Sequence, residues 1–368
     1  MRTLGLIGII YWTGIIAIIG DSIAPTRIET ICGKKEERYT PLFALIAVLP
    51  IIFWAGLRGG AGYTDTNAYI KFYSIVPDSP VELREYIANI NGNDPGFTLL
   101  TALIKRVFGS SYTPYLFIIA SIQCYIVTMF FRKYSADYCL SFFLFIASVE
   151  YYGWIFNGMR QFLAVVITLA GFRFLLEKKY IYYIFIVLIA SSIHLSAIIM
   201  IPVAFIVQGK PWNRKTMIII MVAIFALLFT NRFTNILELT MHNTQYGESV
   251  GSWDDNGTNP IRVLFNSIPT IFAFLTKDTI MEKNNPLIDV CVNMSIVSTG
   301  IWIVSMVTSG IYIGRLPIYV NLFNYILYPY LLEDCISDKR QSQIIWLVIV
   351  VTYLLFYYYQ VHITWRLF

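Results

Sequence analysis

The chain has 368 residues, of which 57% are apolar or aromatic and 13% are charged. Soluble domains carry about 25% charged residues, so a water-facing surface is excluded, and so is a disordered chain. The net charge of +5 lies in short segments with no run that interleaves aromatic and basic residues, which argues against a nucleic-acid partner.

In chain order, residues 1–20 are apolar after Arg2 and lack a small-x-small cleavage pattern, so they read as a first span and not as a signal peptide. Apolar runs follow at about 41–57, 112–131, 138–156, 160–176, 181–208, 216–230, 261–276, 289–309, 316–332 and 343–359. In lipid each backbone amide must bond within its own segment, so runs of this length predict helices, and the missing strand alternation argues against a β-barrel. The expected class is an all-α polytopic integral membrane protein, one transmembrane domain over 1–368, with about twelve helices (11–13). A GT-C-like arrangement is one architecture of that kind. The five cysteines, Cys32, Cys124, Cys139, Cys291 and Cys335, are scattered without a CxxC pair and suggest neither a disulfide framework nor a zinc site.

The run 181–208 is too long for one crossing by about 12 Å and has Ser191-Ser192-Ile193-His194 near its middle. Two short helices meeting at His194 fit better. With that split and the N-terminus outside, the inside loops 20–40, 132–137, 177–180, 209–215, 277–288 and 333–342 hold 15 of the 27 basic residues, as the positive-inside rule requires. Two longer segments, 58–111 and 231–260, then fall on the outer face. The first is expected to carry an amphipathic interfacial helix over Gly96–Phe108.

The outer ends of the spans hold an unusual polar set. Arg58 closes the second span and is followed by Tyr63-Thr64-Asp65-Thr66-Asn67; Arg160 lies in Asn157-Gly158-Met159-Arg160-Gln161; Arg315 lies in Ile313-Gly314-Arg315-Leu316-Pro317. Together with His194 they fall on one side of the membrane. Guanidinium forks bind phosphate oxygens bidentately and keep their charge when partly buried, so the set suits a diphosphate. A carboxylate such as Asp65, or the neutral imidazole of His194, suits removal of a proton from an attacking hydroxyl. Each residue also has a plainer reading. An arginine at a span end is often an interfacial anchor, a lone histidine a packing residue, and Asp65 a turn-former in Gly-rich surroundings. Asp94, before Pro95-Gly96-Phe97, reads as an N-cap. Asp254 and Asp255 beside Trp253 read as a solvated loop.

The order Leu57-Arg58, Thr64-Asp65 with Tyr69, Asp94-Pro95-Gly96-Phe97, Arg160, His194 followed by a small residue and Pro202, then Arg315, resembles the EpsG-like family of polysaccharide polymerases. That family is grouped with the Wzy-type polymerases of O-antigen, capsule and exopolysaccharide pathways. It often has Glu where this chain has Asp94. The resemblance implies a glycosyltransferase of the bacterial inner membrane whose active site faces the periplasm, making 58–111 and 231–260 periplasmic loops. It would move a nascent glycan from undecaprenyl diphosphate to a sugar hydroxyl of the next lipid-linked unit, with no cofactor and no metal. Arg58, Arg160, Arg315 and Tyr69 would bind substrate, and Asp65, His194 and Arg160 would serve catalysis. The implied partners are the lipid-linked oligosaccharides, membrane lipids, a repeat-unit flippase and a chain-length regulator. Two rivals are a flippase for lipid-linked saccharides, which predicts pseudo-symmetric halves not found here, and a His-centred acyltransferase that modifies the glycan.

Overall fold

The computed structural model describes residues 2–23, 26–31, 34–59, 64–89, 94–230, 232–234 and 257–364. Much of the expected outer loop 231–260, including Trp253, Asp254 and Asp255, lies outside them, as does Cys32. The described residues are nearly all helical, with one two-stranded antiparallel sheet. By internal contacts they form two compact units: Met1–Ile201 with Ile336–Phe368, and Pro202–Cys335.

The first unit runs α1 (Arg2–Ile23), β1 (Thr26–Ile31), β2 (Lys34–Tyr39), α2 (Pro41–Gly56), α3 (Thr64–Ile75), α4 (Pro80–Asn89), α5 (Pro95–Phe108), α6 (Thr113–Tyr134), α7 (Tyr138–Ala147), α8 (Glu150–Phe156), α9 (Met159–Ala170), α10 (Phe172–Leu176) and α11 (Tyr180–Ile193). The long helix Lys339–Tyr358 belongs to the same unit and packs on α7. Pro41 and Pro95 sit in the first turns of their helices, where a missing N–H costs nothing. Asp137 caps α7 by accepting the Leu140 N–H at 2.9 Å. Helix α2 lies on α6, and α6 and α11 both pack on α9. At the α2–α6 crossing Gly56 is pressed against Phe117, so that a Cβ there would meet the ring at 2.3 Å.

Among the described residues three helices are long and apolar enough to cross a bilayer, Thr113–Tyr134, Pro286–Met306 and Lys339–Ile363, or four if the bent pair α7–α8 is one span. Six shorter apolar helices of 10–17 residues accompany them among the described residues, from Gly8–Gly20 to Pro260–Leu275, where the sequence suggested about twelve spans in all. The apolar runs are interrupted. Run 138–156 bends by 68° between α7 and α8, at Val149, a β-branched residue held at φ 59°. Run 181–208 breaks where expected: α11 stops at Ile193, His194 is extended (φ −155°, ψ 118°), and a 3-10 turn begins at Leu195.

Segment 20–40, read as a basic loop, contains the β1–β2 hairpin. Its Glu29 pairs with Arg132, a buried residue near the end of α6. Segment 58–111, read as a loop with one helix, contains α3, α4 and α5 among its described residues. Helix α5 turns Phe97, Thr101 and Ala102 inward and leaves Leu99, Leu103, Val107 and Phe108 exposed. Its outward face is thus the apolar one, as suits contact with lipid.

In the second unit the helix Pro286–Met306 packs against Arg214–Leu228, Pro260–Leu275 and Phe323–Asp334. Asn213, Asn259 and Asn285 cap three of these helices through their side-chain oxygens. Inside the unit Asn293 donates to the Val207 and Gly209 carbonyls at 2.9 and 3.0 Å, so the turn after Val207 is held by a side chain buried in an apolar helix.

Candidate functional site

Asp94 immediately precedes α5 and is held in the left-handed conformation (φ 62°, ψ 51°). Pro95 and Gly96 follow, and Gly96 is pressed against α11: a Cβ there would meet the Ser192 Oγ at 2.2 Å. Only glycine lets the start of α5 approach the Ser191-Ser192 end of α11 so closely. That approach carries Asp94 to the helix break at His194.

Asp94 does not cap α5; its side chain makes no cap bond. The carboxylate instead receives the Arg160 guanidinium at 3.0 Å and the backbone N–H of Leu195. The N-cap expected from Asp94-Pro95-Gly96 is replaced by a bridge joining the starts of α5 and α9 to the α11 break. The reason is steric: the left-handed backbone turns the side chain away from the first α5 amides and toward α9. Burial pushes the Asp94 carboxyl above the ordinary aspartate range, and Arg160 and the Leu195 N–H only partly offset it.

Arg160 is the exposed member of the pair. Its side chain is 42% exposed against 10% for Asp94. The guanidinium carbon lies 6.0 Å from the centre of the Tyr69 ring and 5.9 Å from that of Phe97, within the range of cation–π attraction. Phe97 is itself fixed between Phe72 and Tyr115, at 5.7 and 6.3 Å between ring centres. Tyr69 is buried and its phenol is pushed up by that burial, with Arg160 pulling the other way, so it stays a neutral donor. Gln161, next in the chain, donates to Ser196 Oγ at 3.4 Å, and Ser196 Oγ lies 3.5 Å from His194 Nδ1. Arg160, Tyr69, Asp94 and His194 therefore meet in one unit, although the sequence separates Tyr69 from His194 by 125 positions.

Asp65 is exposed in the first turn of α3, one turn before Tyr69 on the same helix. Arg58 is different in kind. It is 7% exposed and donates to Ala55 O at 2.6 Å, Thr66 Oγ1 at 3.1 Å and Phe156 O at 3.3 Å, with its guanidinium carbon 5.2 Å from the centre of the Phe156 ring. Its fork is spent on the protein, tying the end of α2 to α3 and to the end of α8. Arg315 belongs to the second unit, exposed in the 3-10 segment Ile313–Tyr319. Among the described residues no group of three or more His, Cys, Asp or Glu forms a metal site.

Sequence reasoning passed over two residues. Asp94 carried part of the family resemblance, but its own chemistry read only as a cap, because its partner lies 66 positions away. Arg262 sits inside an apolar run, with its guanidinium carbon 4.8 Å from the centre of the Trp302 ring. An arginine in a run with few other charges was the available signal.

No curated protein and no solved structure matches the chain. The EpsG family model matches residues 42–365, which takes in α2 through Lys339–Tyr358 and so every residue of the Arg160 cluster. With apolar helices throughout and this family match over most of its length, the chain is a membrane protein and belongs to the EpsG family.

Proposed function

We propose that this protein polymerises lipid-linked oligosaccharide repeat units. It transfers the nascent glycan from undecaprenyl diphosphate to a sugar hydroxyl of the next unit, on the periplasmic face of a bacterial inner membrane. The observation that carries the reading is Arg160, a half-exposed guanidinium aligned by one buried carboxylate and two aromatic rings beside a broken helix. Family membership supports the polysaccharide class.

In the reaction the bond from the anomeric carbon to the diphosphate oxygen breaks and the diphosphate leaves with the electron pair. The acceptor oxygen bonds to the anomeric carbon and its proton passes to a base. Arg160 stabilises the charge that grows on the diphosphate, with Tyr69 donating alongside it. Arg315, exposed on the second unit, is assigned to binding of substrate phosphate. The bases open to the acceptor are the exposed carboxylate of Asp65 and the His194 ring. Arg58 supports this machinery by fixing α3, since its donors are engaged by the protein. The lipid diphosphate is already activated, so no nucleotide sugar is required. A flippase and a chain-length regulator would act before and beside it, in O-antigen, capsule or exopolysaccharide synthesis.

The test is glycan banding in a strain that depends on this protein. A null mutant is expected to collapse the ladder to a single repeat unit, and Arg160→Ala and Arg315→Ala to do the same with protein present in the membrane. Complete loss of surface glycan would point to a flippase instead. A normal ladder with stably inserted Arg160→Ala would refute the role given to that arginine.

A further inference from the structure

Helix α6 is long and apolar enough to cross a bilayer, yet it carries an amide near its midpoint. Gln123 is fully buried there. Its Nε2 donates to Met159 O at 2.8 Å, and because a carbonyl only accepts, this fixes which end of the amide faces α9. The other end, Oε1, is buried with no hydrogen-bond partner among the described residues. An amide enclosed for one bond and left with an orphan acceptor is costly to bury. Methionine has nearly the same length and volume without that cost. Stability is therefore a poor reason for an amide at this place.

What the bond does hold is the root of Arg160. Met159 is the first residue of α9 and Arg160 the second. The Met159 carbonyl lies in the peptide plane that contains the Arg160 nitrogen and Cα, and that plane is rigid. Anchoring its oxygen therefore orients the point from which the arginine side chain departs. The corner leading to this peptide is gripped as well. Phe156 O accepts from Arg58 Nη2 and from Thr66 Oγ1, both at 3.3 Å. Gly158 is packed so closely on Trp154 that a Cβ would fall 1.7 Å from a ring atom. At the far end of the side chain Asp94 Oδ2 meets Arg160 Nη1 at 3.0 Å. Arg160 is thus held at its root by α6 and at its tip by the residue before α5.

We infer that Gln123 is a positioning residue for Arg160. Its amide donor acts through the Met159–Arg160 peptide and sets where the guanidinium meets the diphosphate. A side chain with several free torsions delivers its charge to one point only when both ends are fixed, and misplacement of a binding group by about 1 Å is enough to lose much of its effect. The inference rests on the role proposed for Arg160. It goes beyond that role in assigning a residue in the middle of a membrane helix that does not touch substrate.

The experiment pairs thermal melting with equilibrium binding of a polyprenyl diphosphate to the full-length protein in lipid nanodiscs. Gln123→Met is expected to weaken binding on the order of tenfold, while melting holds or rises because the orphan oxygen is gone. Gln123→Asn keeps an amide that falls one methylene short of Met159 O. It is expected to bind as weakly as Gln123→Met, and serves if that variant folds poorly. In an Arg160→Ala background Gln123→Met is expected to cause no further loss, since the residue it positions is absent. A loss that simply adds to that of Arg160→Ala, or a fall in melting that tracks the loss of binding, would make Gln123 a packing residue and overturn the inference. Unchanged binding by folded Gln123→Met and Gln123→Asn, with Arg160→Ala weakened, would also overturn it and leave the role of Arg160 standing. Unchanged binding by Arg160→Ala would overturn that role, and the inference with it.

Discussion

Arg160 and Asp94, 66 residues apart, meet at 3.0 Å with the arginine open and the aspartate buried. An ion pair between two exposed groups contributes little, but here the carboxylate is enclosed and also takes the Leu195 N–H. The pair is best understood as orientation. Asp94 sets where the guanidinium points, while much of the arginine side chain stays exposed. Arg160→Lys retains the charge and loses the planar fork. It is expected to shorten the glycan ladder strongly at normal protein levels, read by gel banding. Asp94→Asn can still accept the Leu195 N–H but no longer pairs with Arg160, and is expected to reduce polymer yield less than Arg160→Ala.

Burial holds the Asp94 carboxyl above the ordinary aspartate range, which fixes the sign of a pH effect. The folded chain binds this proton more tightly than the unfolded chain. Stability from this group is therefore greatest below the ordinary aspartate value, falls as pH rises to the folded value, and is flat above it. The Arg160 pair follows the opposite course, intact at neutral pH and opening as pH drops through the raised value. Infrared titration of the carboxyl stretch is expected to show a component protonating above the bulk aspartates that is lost in Asp94→Asn.

Gly96 sets how closely α5 meets α11. Gly96→Ala forces a Cβ into the Ser192 side chain and against its backbone carbon at 3.0 Å. Overpacking of this kind costs about 1–3 kcal/mol, and here the displaced part would include the Asp94 corner. Thermal unfolding in detergent is expected to drop, and polymer length to fall with it. Ser192→Gly in the same chain is expected to restore part of both, because it removes the first obstacle but leaves the backbone.

Arg58 makes a different prediction from Arg160. Arg58→Met would take a donor from the Ala55 carbonyl, the Thr66 hydroxyl and the Phe156 carbonyl, of which the last keeps only the Thr66 hydroxyl at 3.3 Å. Each unsatisfied buried acceptor costs about 1–3 kcal/mol. The expected outcome is a chain that inserts poorly or unfolds early, measured by protein level and melting in detergent. Arg160→Met should leave both near normal while polymerisation is lost. Equal stability of the two variants would remove the distinction between a bracing and a binding arginine.

The sequence by itself determined the membrane class, because so few charges cannot cover a water-facing surface. It also determined the broken helix, because Ser191-Ser192-Ile193-His194 interrupts an apolar run too long for one crossing. Arg58, Arg160 and Arg315 were legible for the same reason, since charge is conspicuous where it is scarce. Tertiary structure decided what those charges do. Arg58 and Arg160 look alike in sequence, yet one is buried against carbonyls from α2 and α8 and the other is propped open by Asp94, Tyr69 and Phe97. The hairpin at 26–39 and the helices within 58–111 lay hidden behind polar composition, which marks exposure to water or headgroups without naming the backbone conformation. Span number was not fixed by apolar length either, since a strained residue such as Val149 divides a run that composition alone reads as continuous. Periodicity and hydropathy are local sums along the chain. A partner 66 residues away is chosen by how helices pack, and that choice exists only in the folded molecule.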